Sequence, residues 1–137
     1  MTKKSRGISA ERELLHRFWD NGWIAMRAPA SGSIRYPCPD LLVGNALRKL
    51  AIECKTTRSD KQYVSEEQIE NLKRFSSVFA AEAWLAVRFD RHERGEWFFL
   101  SLEDLKKTRG NNYVVSLEEA RNKGLFLSEI LGENKTV

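Results

Sequence analysis

The sequence predicts an α/β domain in which helices flank a central mixed β-sheet. Three observations favour this class. The predicted elements follow the order α-β-β-β-α-β-β, 137 residues is the length of one ordinary domain, and 42% hydrophobic residues suffice for a packed core. Residues 1–7 are expected to form a basic flexible arm, and residues 8–137 a single domain.

The first half of the chain is predicted to contain one helix and three strands. Ser9 is a suitable N-cap for a helix over residues 10–21, which Gly22 ends. A loop from Pro29 to Pro39 separates the first two strands. The three strands are expected over residues 23–28, 40–43 and 47–56.

The second half is predicted to continue the same sheet. A polar loop at residues 57–62 leads to a helix over about residues 66–79. Two strands follow, joined by a charged turn, and then short helical turns. These elements are expected over residues 83–89, 96–100, 102–107 and 117–122.

The charge is unevenly distributed along the chain. Residues 1–61 carry a net charge of +6, whereas residues 62–137 carry −2. A basic first half indicates a polyanionic partner, nucleic acid before membrane. Lys3, Lys4 and Arg6 are expected to bind phosphates without sequence preference, the alternative being a tail that only solubilises the chain.

Cysteine usage and hydropathy point to a cytoplasmic chain with no membrane partner. Cys38 and Cys54 have no zinc-type spacing, and no secretory segment is recognisable, so reduced thiols are expected. No uncharged apolar run approaches the roughly 20 residues of a membrane helix.

Polar residues interrupt a strand that otherwise has the pattern of a central one. Because strand side chains alternate between faces, Glu53 and Lys55 share the face of Ala51. Asp40 opens the preceding strand, and a hairpin between the two strands would bring it beside Glu53. The alternative is a structural ion pair between Glu53 and Lys55.

A third acid lies on the first predicted helix. Glu11 is centred on the apolar face formed by Leu14, Leu15 and Phe18. A lone carboxylate on a buried face is costly and needs a cation, which the strand acids are candidates to share. Carboxylates suit Mg²⁺, which activates water and neutralises phosphate charge. Lys55 would orient water or stabilise developing charge.

Five short motifs carry a resemblance to a known family. They are Ala10-Glu11-Arg12-Glu13, the run from Arg27 to Ser33, Pro39-Asp40, Ile52-Glu53-Cys54-Lys55, and Tyr63-Val64 with Gln68. In order and spacing through about residue 90, the sequence resembles the archaeal Holliday junction resolvases, nucleases with the PD-(D/E)xK core. The resemblance implies a restriction-endonuclease-like fold, so that residues 8–137 would be a nuclease domain.

The resemblance also implies roles for individual residues. Glu11, Asp40 and Glu53 would be the metal ligands for Mg²⁺, with Mn²⁺ able to substitute, and Lys55 the catalytic lysine. Ser31 would lie in a loop near the scissile phosphate. Arg12 and Arg27 would contact DNA, and Ser33 and Arg35 in the same loop complete the predicted DNA-binding set.

The resemblance implies a homodimer that nicks two opposed strands of a four-way junction in DNA recombination and repair. Two other functions stay open: a restriction- or repair-type nuclease acting on ordinary duplex, and a DNA-binding module without catalysis. Gln68 also has two interpretations. It is either a residue that supports the metal site or the N3 member of a Ser65 capping box.

Overall fold

A computed structural model describes residues 2–28, 36–92 and 95–132. It contains four α-helices in these ranges: α1 (Lys3–Asp20), α2 (Glu66–Phe79), α3 (Leu117–Lys123) and α4 (Leu127–Leu131). The strands there are β1 (Ile24–Arg27), β2 (Leu41–Gly44), β3 (Lys49–Thr57), β4 (Lys61–Ser65), β5 (Glu82–Phe89), β6 (Trp97–Ser101), β7 (Lys106–Lys107), β8 (Asn112–Ser116) and β9 (Leu125–Phe126). Within those ranges, no helix combines the length and hydropathy that a bilayer span requires.

The main sheet is mixed, as predicted. Its strand order is β1-β2-β3-β5-β6-β9, in which β3 and β5 run parallel and the other neighbours run antiparallel. Because β3 and β5 run parallel, their carboxyl ends lie side by side at the same end of the sheet. Residues that follow these two strands therefore meet there.

The main sheet separates the hydrophobic core into two clusters, one on each face of β3. Leu50, Ile52 and Cys54 belong to the cluster that α1 covers, whereas Ala51 belongs to the cluster beneath α2. This split confirms the predicted alternation. Glu53, which shares the face of Ala51, therefore projects toward α2, opposite to α1.

Helix α1 begins earlier than the sequence predicted. Residues 3–7, expected to be a flexible arm, form its first turns, and Thr2 rather than Ser9 is the N-cap. The Thr2 side chain accepts a hydrogen bond from the backbone N–H of Ser5, at 3.1 Å. The basic first turn and Gly7 disfavour a helix locally, but Arg6 forms an ion pair with Asp90 that holds this end against β5.

A second, three-stranded sheet with the order β4-β8-β7 was not predicted. The sequence indicated a loop at residues 57–62, yet β4 begins at Lys61 and pairs with β8, where Tyr63 lies opposite Val114. Residues 102–107, predicted as a helical turn, divide into a 3₁₀ turn at Leu102–Asp104 and strand β7. Such short strands owe their conformation to distant partners, which a local pattern does not reveal.

Candidate active site

The pairing of β2 with β3 brings two carboxylates together. Leu41 lies opposite Ile52 in the antiparallel register, so Asp40, one residue earlier, stands beside Glu53. The Asp40 Oδ2 atom accepts a hydrogen bond of 2.8 Å from the backbone N–H of Cys54. The predicted proximity of these two acids is thereby confirmed, and a backbone contact fixes the orientation of one of them.

Lys55 and Gln68 both contact Glu53. The Lys55 Nζ atom lies 3.7 Å from Glu53 Oε2. The Nε2 atom of Gln68, from the first turn of α2, donates to the same oxygen at 3.5 Å. Glu53 is therefore positioned from β3 and α2, with a side chain only 12% exposed.

Gln68 forms the predicted capping box and also contacts Glu53. The Ser65 hydroxyl accepts the backbone N–H of Gln68 at 3.1 Å, and the side chain of Gln68 returns to the backbone of Ser65, which completes the capping box. This cap uses the amide oxygen, while the amide nitrogen contacts Glu53. The helix cap thus orients the side chain that touches the acid.

The electrostatics of the pair suit a divalent cation. Burial, and then the negative charge of Asp40, raise the pKa of Glu53 to about 8, against the smaller opposing effect of Lys55. At neutral pH Glu53 thus retains a proton unless a cation replaces it. The two carboxylates border a pocket of about 190 Å³, lined also by Gln68 and Asn71. Paired carboxylate oxygens in such a pocket fit a hard ion such as Mg²⁺.

Glu11 approaches the pair from α1, on the other side of β3. The Nε atom of Arg27 donates to Glu11 Oε1 at 2.9 Å. Burial and the charge of Asp40 raise the pKa of Glu11, while Arg27 opposes this shift. In residues 2–28, 36–92 and 95–132, no three His, Cys, Asp or Glu side chains are arranged to hold an ion together. Asp40 and Glu53 thus lie side by side, whereas the carboxylate of Glu11 is held by the guanidinium of Arg27.

The predicted DNA-binding residues occupy different surroundings. Lys3, Lys4 and Arg12 are exposed on α1, where they are available to a phosphate. Arg6 and Arg27 are instead engaged by acids, with Arg6 Nε 3.4 Å from Asp90 Oδ2. Ser31, Ser33 and Arg35 lie outside the described residues.

The sequence did not indicate Asn71 as a pocket residue. Asn71 lines the pocket beside Asp40 and Glu53. It follows Gln68 by three positions on α2, which places both side chains on one helix face. That spacing was the available signal, and it depends on knowing that Gln68 faces the acids.

The raised pKa of Glu53 predicts how stability changes with pH in the absence of metal. The folded chain retains a proton between the ordinary pKa of 4.5 and about 8, so the free energy of unfolding should fall as the pH rises through this window. Thermal melting in a chelator from pH 5 to pH 8 measures this fall. Glu53→Gln should remove much of it, and an equal fall in both proteins would refute the assignment.

Known proteins with similar sequences cover nearly the whole chain. The family model described as archaeal Holliday junction resolvase (Hjc) matches residues 2–137. Crossover junction endodeoxyribonuclease Hjc of Archaeoglobus fulgidus is 36% identical over 136 residues, which is 95% of this chain and 98% of that protein. Hjc of Sulfurisphaera tokodaii is 33% identical and covers 95% of this chain and 88% of its own length.

A solved structure extends the similarity to the fold. The structure of Archaeoglobus fulgidus Hjc, described as a Holliday junction resolvase, superposes with a TM-score of 0.82 at 32% identity. The match covers 92% of this chain and all of that one. The predicted fold class is therefore confirmed. With its sequence and its fold in agreement, the chain belongs to the archaeal Holliday junction resolvase family.

Proposed function

We propose that this chain is a metal-dependent endonuclease that resolves four-way DNA junctions by paired nicks. The observation that carries the proposal is the half-buried pair of Asp40 and Glu53 with Lys55 beside it. The relatives that support it are named crossover junction endodeoxyribonucleases. A pure binding module has no use for two carboxylates whose burial is costly. Because both cysteines are free thiols, the proposed place of action is the cytoplasm.

Asp40 and Glu53 would hold the proposed Mg²⁺ or Mn²⁺ ion, and Glu11 would complete the ligand set. Such an ion supplies an activated water and neutralises charge on the phosphate. Gln68 would keep Glu53 oriented through the hydrogen bond from its amide nitrogen. Arg27 would then exchange Glu11 for a DNA phosphate, which suits the forked donors of a guanidinium.

Lys55 supplies the positive charge of the proposed site. Its Nζ atom lies on the same face of β3 as Glu53 and within 3.7 Å of it. An ammonium at this place would orient the attacking water or stabilise the charge that develops on the phosphate. Ser31 would act near the scissile phosphate. Lys3, Lys4, Arg12, Ser33 and Arg35 would contact the DNA backbone.

A homodimer is part of the proposal because a four-way junction has two symmetric strands to cut. The chain has an exposed apolar surface, formed by β1 and the second half of α2, that suits a second copy. Its exposed members are Ile24, Met26, Val78 and Phe79, and the half-buried Pro37 and Phe75 lie beside them. The two parts of this surface are linked through Lys49. Its ammonium lies 4.9 Å from the ring centre of Phe79. In the sheet, Lys49 pairs with Gly44, which in turn pairs with Ile24.

The apolar surface adjoins the acids. Pro37 lines both the hollow beside Phe79 and the pocket that contains Asp40 and Glu53. Large exposed apolar patches mark interaction sites, and closed two-fold dimers are the commonest oligomers. Two copies joined here would bring two active sites to one assembly.

A comparison of substrates tests the proposed function. With Mg²⁺, the chain should nick a synthetic four-way junction at least about tenfold faster than linear duplex of the same sequence. Backbone charge alone does not distinguish the two substrates, so this preference would identify recognition of the junction itself. Competition binding in excess linear DNA checks the preference independently of cleavage. Equal rates and affinities would instead identify a nuclease of ordinary duplex, and binding without cleavage would identify a non-catalytic module.

A further inference from the structure

A group of arginines lies at the end of the sheet where the carboxyl ends of β3 and β5 meet. Because Thr57 is opposite Phe89 in the parallel register, Arg58 and Asp90 follow the two strands at the same end. Helix α1 contributes Arg6 from a third element. Together they form a groove of about 440 Å³, here named the arginine groove and lined by Arg6, Arg58, Arg88, Asp90, Arg91 and Gly95.

The arginine groove has more positive charge than its acids neutralise. Arg88 Nε donates to Asp90 Oδ1 at 2.7 Å, and the opposite oxygen faces Arg6. Arg88 also lies 3.6 Å from the exposed Glu13. Arg58 and Arg91 are exposed, and neither has an ion pair with a described residue. Among the described residues, four guanidinium groups thus face the two carboxylates of Asp90 and Glu13.

The inner wall of the groove has polar atoms without hydrogen bonds. Arg6 Nε and Asp90 Oδ2 are both buried and, within the described part of the chain, neither has a hydrogen-bond partner. Their separation of 3.4 Å gives an ion pair without a well-formed hydrogen bond. An unmade hydrogen bond of a buried charged group is costly, and an anion bound in the groove would offset part of that cost at Arg6 by its negative charge.

The arginine groove lies a short distance from the proposed active site along two separate elements. Arg58, the first residue after β3, comes three residues after Lys55, or about 10 Å along an extended chain. On α1, Arg6 precedes Glu11 by five residues, or about 7.5 Å along the helix axis. Successive phosphates of one duplex strand are about 3.4 Å apart along the axis, so about three nucleotides span the same distance.

We propose that the arginine groove binds a backbone phosphate of the DNA about three nucleotides from the cleaved bond. Arg58 and Arg91 would contact the phosphate oxygens, while Asp90 holds Arg6 and Arg88 in place behind them. Guanidinium groups suit this ligand because their forked N–H donors match two phosphate oxygens. The inference rests on the proposed function, since the DNA has to lie across Asp40 and Glu53.

The test compares variants for junction binding in a chelator, where no cleavage occurs. Arg58→Ala with Arg91→Ala should weaken binding about tenfold at about 0.1 M salt. The same variant should flatten the plot of log affinity against log salt by about one unit for each phosphate that is no longer bound. Arg121→Ala with Lys123→Ala is the control, since it removes two positive charges from α3, which packs on β6 and β8. Its affinity should stay within about twofold of the unaltered chain.

A second variant separates a groove from general attraction. Arg58→Lys with Arg91→Lys keeps both charges but removes the forked donors, so its affinity should fall between those of the unaltered chain and the alanine variant. Affinity unchanged in the alanine variant, or an equal decrease in the α3 control, would overturn the proposal. Binding to linear duplex is measured in parallel. Equal affinity of the unaltered chain for junction and duplex would refute the proposed function. The difference between the unaltered chain and the alanine variant in the salt slope on duplex would still test the groove.

Discussion

Asp40→Asn and Glu53→Gln should each reduce Mg²⁺-dependent nicking of a junction by at least about a thousandfold. Each change removes one charged oxygen ligand while keeping the shape of the side chain. A thousandfold decrease corresponds to about 4 kcal/mol of transition-state stabilisation, which is within the range that a metal site supplies. Rates are measured on a labelled four-way junction at saturating protein, so that affinity does not enter.

The same variants make a prediction about metal binding that does not depend on activity. At pH 8, Mg²⁺ should raise the melting temperature of the unaltered chain, because a ligand that binds only the folded state stabilises it. Asp40→Asn and Glu53→Gln should not show this increase. Lys55→Ala is the contrasting variant, since it should keep the increase and still fail to nick, because Lys55 supplies no oxygen ligand.

Junction binding in a chelator should be retained by all three variants. Attraction between basic side chains and phosphates dominates affinity for DNA. The exposed lysines of α1 supply such charge and are unchanged in these variants. Full Mg²⁺-dependent activity in Asp40→Asn would contradict the assignment of the metal site. A loss of folding, seen as a loss of cooperative melting, would instead place Asp40 among residues required for the fold.

Val78→Asp with Ile24→Asp should convert the proposed dimer into a monomer. Val78 is 83% exposed and Ile24 is 54% exposed, so charges there should leave the folded chain intact. In a dimer the same charges would be buried without partners, at a cost of several kcal/mol. Sedimentation or light scattering at micromolar concentration measures the change in mass.

Phe126→Asp is the matched control for this experiment. Phe126 is also an exposed apolar residue, but it belongs to β9, at the edge of the main sheet opposite to β1. Asp is a favourable residue at the N-cap of α4, the position that Phe126 occupies. The control should remain a dimer. An unaltered chain that is monomeric both alone and on DNA would refute the dimer.

The sequence predicted the central strand and the paired acids because both depend on local order. Alternation along β3 separates Ile52 from Glu53, and a hairpin turn then carries Asp40 to the same place. The predicted boundaries of α2 match the observed helix, since the Ser65 capping box defines its start. These features need only period, turn chemistry and the next strand along the chain.

The features that the sequence did not predict depend on distant partners. The ion pair between Glu11 and Arg27 arises because β1 packs beside α1, which no spacing indicates. Arg6 meets Asp90 only after β5 has been placed next to β3. Strand β4 is paired with β8, about fifty positions later, so its own residues carried too weak a signal.

The most direct measurement of the central claim is the product of cutting a supercoiled plasmid that extrudes a cruciform. Paired nicks across the four-way junction give a linear plasmid, whereas a single nick gives an open circle. The unaltered chain with Mg²⁺ should give linear product cut at the cruciform, and Val78→Asp with Ile24→Asp should give open circles. Open circles from the unaltered chain, or equal cutting of a plasmid without the inverted repeat, would contradict resolution by paired active sites.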